Sequence, residues 1–258
     1  MPGVVTGHHL AYLINLERRP DRWTDFCAVS ANLKFQVERF SAVDGNKLTH
    51  DELRLPAPVA ACWMSHQEVA KILLETSSSH CLVLEDDVKL STEGIDSLNR
   101  IMDSDLTGID LLQVGFCVHN NKLADRTRYR LQVNLVKGLY LTHNLKMGFI
   151  IRILKRVYGT EFIMLNQISL LAAKNSFELG THAYIFSRKF ALALTEFNSP
   201  AYLPADLALI ELAQTGKFAS FRLLANVLSQ SDSPSSIQNA SRNPLESEIA
   251  SLEQTNVN

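Results

Sequence analysis

The most informative stretch of this 258-residue chain is an apolar run closed by three acidic residues, Leu82-Val83-Leu84-Glu85-Asp86-Asp87-Val88. Its continuous apolar part is typical of a strand buried on both faces. Side chains alternate along a strand, so Glu85 and Asp87 are predicted to lie on the same side. Adjacent carboxylates repel one another unless a cation is present, and Mg²⁺ or Mn²⁺ prefers such oxygen ligands beside substrate phosphates. The stretch therefore predicts a metal–diphosphate site, and the alternative is a solvated acidic turn without a ligand.

A second polar cluster follows the first predicted strand, which covers residues 10–16. The cluster has the sequence Asn15-Leu16-Glu17-Arg18-Arg19-Pro20-Asp21-Arg22, in which Pro20 suits the first position of a helix. Arginine side chains and the free backbone N–H groups of a helix start favour an anionic ligand. The alternative is salt bridging within the first helical turn.

Strands and helices alternate over the first 120 residues, which predicts an α/β fold with a mainly parallel central sheet. Ligands of such sheets bind beyond the carboxyl ends of the strands, and both polar clusters follow such an end. The stretch Ser65-His66-Gln67-Glu68 has the capping-box pattern, which predicts that a helix begins there. Further strands are predicted at 37–43, 110–118 and 179–186, and further helices at 187–197 and 206–215.

The composition excludes several classes of protein. With 46% hydrophobic and 20% charged residues, the chain can bury a large core, which excludes a disordered chain and a coiled coil. A formal net charge of −2 excludes a globally basic nucleic-acid binder, so no nucleic-acid partner is expected. No membrane span and no secretory signal are predicted, and we therefore expect a cytoplasmic protein. The cysteines are scattered without a CxxC pair, which predicts reduced, mostly buried thiols at Cys27, Cys62, Cys81 and Cys117.

Residues 119–174 differ in charge from the rest of the chain. They hold ten lysines or arginines against two acidic residues, and they are also rich in Leu, Ile and Phe. One basic run has the spacing of a single helix face: Arg152, Lys155 and Arg156. The segment predicts contact with an anionic membrane surface, or else a solvated face neutralised by the acidic remainder of the chain. We expect one domain over 1–228, with 119–174 as a basic, apolar insertion, and a polar, mobile tail over 229–258.

In their order along the chain, these motifs resemble glycosyltransferase family 25. Its members include bacterial lipopolysaccharide galactosyltransferases and the procollagen galactosyltransferase domains. The resemblance rests on six stretches: Ile14-Asn15-Leu16 with Arg18, Asp21 and Arg22; Ala42-Val43-Asp44-Gly45; Cys62 with Ser65-His66; Leu82–Val88; Gly180–Ser187; and Pro204-Ala205-Asp206. One departure is Pro58-Val59-Ala60-Ala61, which stands where the family usually has Gly-Glu before the cysteine.

The resemblance implies a GT-A-like fold, a UDP-sugar donor with UDP-galactose as the commonest case, and inversion at the anomeric carbon. It implies Mn²⁺ or Mg²⁺ on the donor diphosphate, with Glu85, Asp86 and Asp87 as the metal ligands. Contacts to the nucleotide sugar are expected from seven residues: Asn15, Arg18, Arg22, Asp44, His66, Thr181 and His182. The bacterial members imply a lipid-linked oligosaccharide acceptor of the lipooligosaccharide or lipopolysaccharide class, and an enzyme peripheral to the inner face of the cytoplasmic membrane.

An inverting displacement needs a base that takes the proton of the acceptor hydroxyl, and Asp206 is the candidate on its P-x-D match. The alternative for Asp206 is a helix N-cap, and for His182 it is a core histidine. Two other functions stay open. A non-catalytic nucleotide-sugar-binding protein is favoured by the change at 58–61 but opposed by the intact acidic cluster. A transferase acting on protein, as in the procollagen relatives, is opposed by the lack of a signal peptide.

Overall fold

The computed structural model describes residues 9–49, 54–116, 155–156, 161–165, 170–174, 177–223 and 227–230. The strands in these ranges are β1 Leu10–Asn15, β2 Glu38–Ser41, β3 His80–Glu85, β4 Val88–Lys89, β5 Leu111–Gly115, β6 Phe162–Leu165, β7 Leu170–Lys174, β8 Ala183–Ser187, β9 Ser220–Leu223 and β10 Ser229–Gln230. The α-helices are α1 Pro20–Val29, α2 Ala57–Glu75, α3 Thr92–Met102, α4 Arg188–Glu196 and α5 Ala205–Gln214, and short 3₁₀ turns cover Ser30–Asn32 and Gly45–Lys47.

Eight of the described strands form one sheet in the order β2-β1-β3-β8-β5-β9-β7-β6. Strands β1, β2 and β3 are mutually parallel, and β5 is parallel to β9. Strand β8 runs antiparallel between β3 and β5, and β7 runs antiparallel between β9 and β6. Of these eight strands, all except β7 and β8 therefore point the same way, which confirms the predicted α/β class and its mainly parallel sheet.

Strand β3 is buried on both faces, as its continuous apolar sequence predicts. Cys81 and Val83 belong to the core on one face of the sheet, where residues of α2, α4 and α5 pack. Leu82 and Leu84 belong to the core on the other face, where residues of α1 and α3 pack. Because helices cover both faces of the sheet, a ligand can approach the sheet at the ends of its strands.

Local signals fix several helix boundaries where they are expected. Helix α1 begins at Pro20. Helix α4 is capped by Ser187, whose hydroxyl accepts a hydrogen bond from the Phe190 N–H at 3.2 Å. Helix α5 ends just before Gly216, whose φ of +74° is the left-handed conformation that closes many helices.

Two predictions were wrong. Helix α2 begins at Ala57 rather than at Ser65, so the capping-box pattern lies inside the helix. The Ser65 hydroxyl donates to the Ala61 carbonyl at 2.8 Å, the bond to position i−4 that serine makes inside helices. The thiols are not mostly buried, because Cys27 is exposed, Cys62 is half-buried and only Cys81 of the described cysteines is buried, while Cys117 lies outside the described residues.

The end of the described chain packs against the start of α3 and pairs with the residues that follow β3. Strand β10 pairs with β4 in a separate antiparallel ribbon, with Ser229 opposite Lys89 and Gln230 opposite Val88. The first two residues assigned to the tail thus belong to the folded domain, and 231–258 lie outside the described residues. Leu228 also bridges Gly115 at the end of β5.

Most of the basic segment 119–174 lies outside the described residues, including Arg152. Its described parts include β6 and β7, which form one edge of the main sheet. Lys155 and Lys174 both form ion pairs with Glu161. Within the ranges that the structure describes, no helix is long and apolar enough to cross a membrane.

Candidate functional site

A cavity of about 280 Å³ opens beyond the carboxyl ends of β1 and β3. Such an edge is where parallel sheets bind their ligands. The predicted residues on its wall are Arg18, Arg22, His66, Glu85, Asp86 and Asp87. A second cavity of about 610 Å³ shares Arg22, Asp86 and Asp87 with the first. The two polar clusters of the sequence therefore meet on the wall that the two cavities share.

Asp86 is held by the fold rather than turned freely toward the cavity. One carboxylate oxygen accepts from the Arg22 guanidinium, and the other accepts from the Asn15 amide at 2.7 Å. Asn15 is itself buried, and its amide oxygen accepts from Arg39 at 2.8 Å. This network joins the end of β1, helix α1 and the acidic stretch. Because both oxygens of Asp86 are engaged, the metal-ligand role predicted for the three acids fits Glu85 and Asp87 better than Asp86.

Glu85 is bound by two residues from distant parts of the chain. Thr181 donates a short hydrogen bond to its Oε1, and His66 Nε2 lies 3.4 Å from the same oxygen. Burial raises the pKa of Glu85, but the hydrogen bonds from His66 and Thr181 and the electrostatic influence of His66 together lower it more. The pKa of Glu85 therefore lies below its ordinary value, and the side chain is an anion at neutral pH.

His66 and Cys62 lie one turn apart on α2 and face Glu85. The His66 side chain is fully buried; its Nε2 is 3.8 Å from Cys62 Sγ, and its Nδ1 is 2.8 Å from the hydroxyl of Tyr184. Burial raises the pKa of the Cys62 thiol, and the negative charges of nearby carboxylates raise it further. The Cys62 thiol is thus neutral at physiological pH in the protein as described.

Arg18 and Asp44 form an ion pair at the mouth of the cavity, with Nε 3.1 Å from Oδ2. Asp44 caps the 3₁₀ turn that follows it by accepting from the Asn46 N–H at 3.0 Å. This backbone bond and the Arg18 guanidinium outweigh burial and hold the pKa of Asp44 below its ordinary value. The Arg18 side chain remains 46% exposed, so its guanidinium is accessible from the cavity.

Four predicted contact residues do not line either of the two cavities: Asn15, Asp44, Thr181 and His182. Asn15 bonds Asp86, Asp44 pairs with Arg18, and Thr181 bonds Glu85. These three residues therefore position side chains of the cavity wall. His182 is buried, and its Nε2 lies 3.4 Å from the Leu228 carbonyl oxygen. Burial lowers the pKa of His182, so the ring is neutral, as expected of a core histidine.

Asp206 lies in the first turn of α5 and is not its N-cap, which is Pro204. The cap alternative was therefore wrong, because the helix begins one residue earlier than its apolar pattern indicates. The Asp206 carboxylate accepts from the Leu207 N–H at 2.9 Å. It does not line either of the two cavities, but its charge acts on Cys62, which does. The role of Asp206 as a base stays a prediction.

Cys62 and Asn46 are cavity residues that were not among the predicted site residues. The i, i+4 spacing of Cys62 and His66 places both side chains on one face of a helix and could have indicated the cysteine. No local signal indicates Asn46, because the 3₁₀ turn that carries it is positioned by contact with α2. Gly45 shows how close that contact is, since a Cβ there would lie 2.7 Å from the Pro58 backbone.

Comparison with known proteins places this arrangement in a family. The sequence profile described as "Glycosyltransferase family 25 (LPS biosynthesis protein)" matches residues 8–209. A "Glycosyltransferase 25 family member" of Aedes aegypti is 31% identical over 124 residues, which cover 40% of this chain and 20% of that protein. A protein of the same description from Drosophila pseudoobscura pseudoobscura is 29% identical over 96 residues, which cover 30% of this chain and 15% of that protein.

The matching region spans most of the chain and contains both polar clusters and the start of α5. The chain therefore belongs to glycosyltransferase family 25. Its α/β fold is consistent with the GT-A-like architecture of nucleotide-sugar-dependent transferases. The chain matches only a fifth or less of the length of the two insect relatives.

Proposed function

We propose that this protein is a metal-dependent, inverting glycosyltransferase. It takes a hexose, galactose in the first instance, from a UDP-sugar and transfers it to a lipid-linked oligosaccharide. The observation that carries the proposal is the meeting of Arg18, Arg22, Glu85 and Asp87 on one cavity wall at the carboxyl ends of parallel strands. Arginines and a pair of carboxylates are the groups that a metal–diphosphate ligand requires.

The donor set fits a hard divalent cation. Glu85 is an anion, and Asp87 follows it at the position that faces the same cavity. Oxygen ligands of this kind suit Mg²⁺ or Mn²⁺. Such a cation, when bound, offsets the negative charge that develops on the departing UDP. Asp86 contributes through its bonds to Arg22 and Asn15, which fix the direction of the acidic stretch.

The arginines supply the remaining positive charge for the diphosphate. Arg22 is paired with Asp86 and is only 11% exposed, so it is a fixed wall of the cavity. Arg18 is more exposed and is paired with Asp44, so its guanidinium can turn toward a phosphate at the cost of one surface ion pair. The N-terminus of α1, just beyond Arg19, adds backbone N–H groups to the same region.

The second cavity is the proposed approach of the acceptor, because it meets the first at Asp87. The acceptor hydroxyl oxygen attacks the anomeric carbon opposite to the bond to UDP, which breaks as the new bond forms and inverts the configuration. A carboxylate takes the hydroxyl proton, and Asp206 is the proposed base. Its charge acts on Cys62, which lines the first cavity, so the start of α5 lies close to the proposed donor site.

The family description supports an acceptor from lipopolysaccharide biosynthesis. A lipopolysaccharide or lipooligosaccharide precursor is anionic and membrane-bound, and the basic segment 119–174 is the part of the chain suited to its surface. A cytoplasmic enzyme, peripheral on the inner face of the membrane, follows from this acceptor.

The test is UDP release from a panel of UDP-sugars, with Mn²⁺ or Mg²⁺ and with or without a lipooligosaccharide acceptor. We expect release to be fastest with UDP-galactose, to require the cation and to rise when the acceptor is added. Calorimetric titration of UDP should show tighter binding in the presence of Mn²⁺ than in EDTA. Binding of UDP that is indifferent to the cation would contradict the metal site, and binding without any transfer would indicate a non-catalytic member.

A further inference from the structure

We propose that Cys62, His66 and Glu85 form a site for a thiophilic divalent cation, zinc in the first instance. Their ligand atoms lie within 4.8 Å of one another, with His66 between the other two. The Cys62 thiol, which releases its proton to solvent when a cation binds, and the His66 imidazole select zinc over magnesium or manganese, which prefer oxygen ligands. This set therefore differs in kind from the oxygen site proposed for Glu85 and Asp87.

The spacing of the ligand atoms fits tetrahedral zinc. Zinc bonds of about 2.0–2.3 Å place neighbouring N, O and S ligands roughly 3.3–3.6 Å apart. The observed separations are 3.4 Å from His66 Nε2 to Glu85 Oε1 and 3.8 Å from His66 Nε2 to Cys62 Sγ. The remaining pair, Cys62 Sγ and a Glu85 carboxylate oxygen, lies within 4.8 Å. Three protein ligands leave the fourth position open toward the cavity.

The surrounding residues hold the ligands in place. The Tyr184 hydroxyl is 2.8 Å from His66 Nδ1, so an Nδ1–H that donates to it leaves Nε2 free to bind the cation. Thr181 donates to Glu85. Partners of this kind fix the orientation and the tautomer of metal ligands in known sites. Both are buried and come from the same segment, at the start of β8.

The consequence is competition for one carboxylate. Glu85 belongs both to this site and to the oxygen site of the proposed function, so zinc at Cys62 excludes the hard cation from its full ligand set. That consequence rests on the proposed function, whereas the zinc site itself does not. The test below therefore uses the metal alone, without nucleotide or sugar.

Co²⁺, a spectroscopic substitute for zinc, should give a thiolate charge-transfer band when titrated into the metal-free protein. We expect one equivalent to saturate the band and zinc to abolish it. Cys62→Ser should remove the band and weaken zinc binding by about tenfold or more. Cys27→Ser, which changes an exposed cysteine, should leave both unchanged. No band in the wild type, or a band that persists in Cys62→Ser, overturns the proposal.

A second measurement uses the unmutated protein, so its result does not depend on whether the Cys62→Ser variant folds. Alkylation by iodoacetamide at pH 8.5, followed by peptide mass spectrometry, reports each cysteine separately. Zinc should slow the labelling of Cys62 by about tenfold or more while Cys27 labels at the same rate. Equal labelling of Cys62 with and without zinc overturns the proposal whatever the transferase assays show.

Discussion

Two carboxylate centres lie at opposite ends of the strands of the same sheet and differ in what surrounds them. Asp110 precedes β5, at the amino ends of the strands, and its carboxylate accepts from Ser187 at 3.0 Å and from Lys189 and the Ala219 N–H at 2.9 Å. Glu85 is the last residue of β3 and Asp87 follows it, at the carboxyl ends of the strands, and both line a cavity. The partly buried Asp110 is surrounded by donors of the fold and joins elements together, whereas Glu85 and Asp87 also face a cavity that a ligand can enter.

The largest expected effect on sugar transfer comes from a substitution at the carboxyl ends of the strands. Asp87→Ala should reduce sugar transfer by about 10²–10³-fold and abolish the Mn²⁺-dependent part of UDP binding, because an electrostatic contact to the diphosphate is lost. The melting temperature should change little. Calorimetry of UDP with Mn²⁺ measures the binding, and a titration identical to the wild type would show that Asp87 is not a metal ligand.

Asp206→Asn tests the second proposed role at these strand ends. Asparagine keeps an oxygen that can accept from the Leu207 N–H but lacks the basicity of the carboxylate. The rate of transfer should fall by about 10²-fold, the usual size of general-base catalysis, while donor binding and the melting temperature stay unchanged. Near-normal turnover in this variant would remove Asp206 from the chemistry.

At the amino ends of the strands, the expected effect of a substitution is on stability rather than on activity. Asp110→Ala leaves the Ala219 N–H and the Ser187 hydroxyl without their acceptor and should lower the free energy of unfolding by about 2–3 kcal/mol. Lys189→Met is the matched control. The Lys189 side chain is 62% exposed, so its loss should cost no more than about 1 kcal/mol. Urea unfolding measures both variants, and UDP binding should be retained; lost binding in Asp110→Ala would contradict the division of roles.

The smallest expected effect is the change with pH of the contribution that Asp110 makes to the free energy of unfolding. Burial raises the pKa of Asp110, but the hydrogen bonds from Ala219, Lys189 and Ser187 outweigh it and hold the pKa below the ordinary 3.8. A lowered folded-state pKa stabilises the protein above the unfolded pKa, and this stabilisation is lost as pH falls through the folded one. The stability difference between wild type and Asp110→Ala should therefore be largest near pH 7 and shrink below pH 4. A difference that grows on acidification would contradict the sign of this shift.

Local sequence determines much of this fold. The run before Glu85 predicts a buried strand, Pro20 starts α1, and Ser187 and Gly216 mark helix ends, because each signal acts within a few residues. The start of α2 was missed because a serine bonded to position i−4 and a following glutamate form the same pattern inside a helix as at its beginning. The antiparallel direction of β8 was also missed, since a strand buried on both faces has the same apolar pattern in either direction.

The candidate site was predictable only in part, for a related reason. The acids and arginines on the cavity wall follow strand ends and can be found from local patterns. The partners that hold them are far away in sequence: Thr181 reaches Glu85 across 96 residues, and Asn15 reaches Asp86 across 71. Nothing in a short window specifies such pairs, because they depend on the order of strands in the sheet.

The pairing of β4 with β10 has a consequence for the order in which this protein is completed during synthesis. Val88 and Lys89, directly after the acidic stretch, are held by Gln230 and Ser229, about 140 residues later. A nascent chain can form β1, β2 and β3 early and join Asp86 to Asn15 and Arg22, but the β4–β10 ribbon forms only after residue 230 has emerged. The residues directly after the acidic stretch thus gain their strand partner late in synthesis.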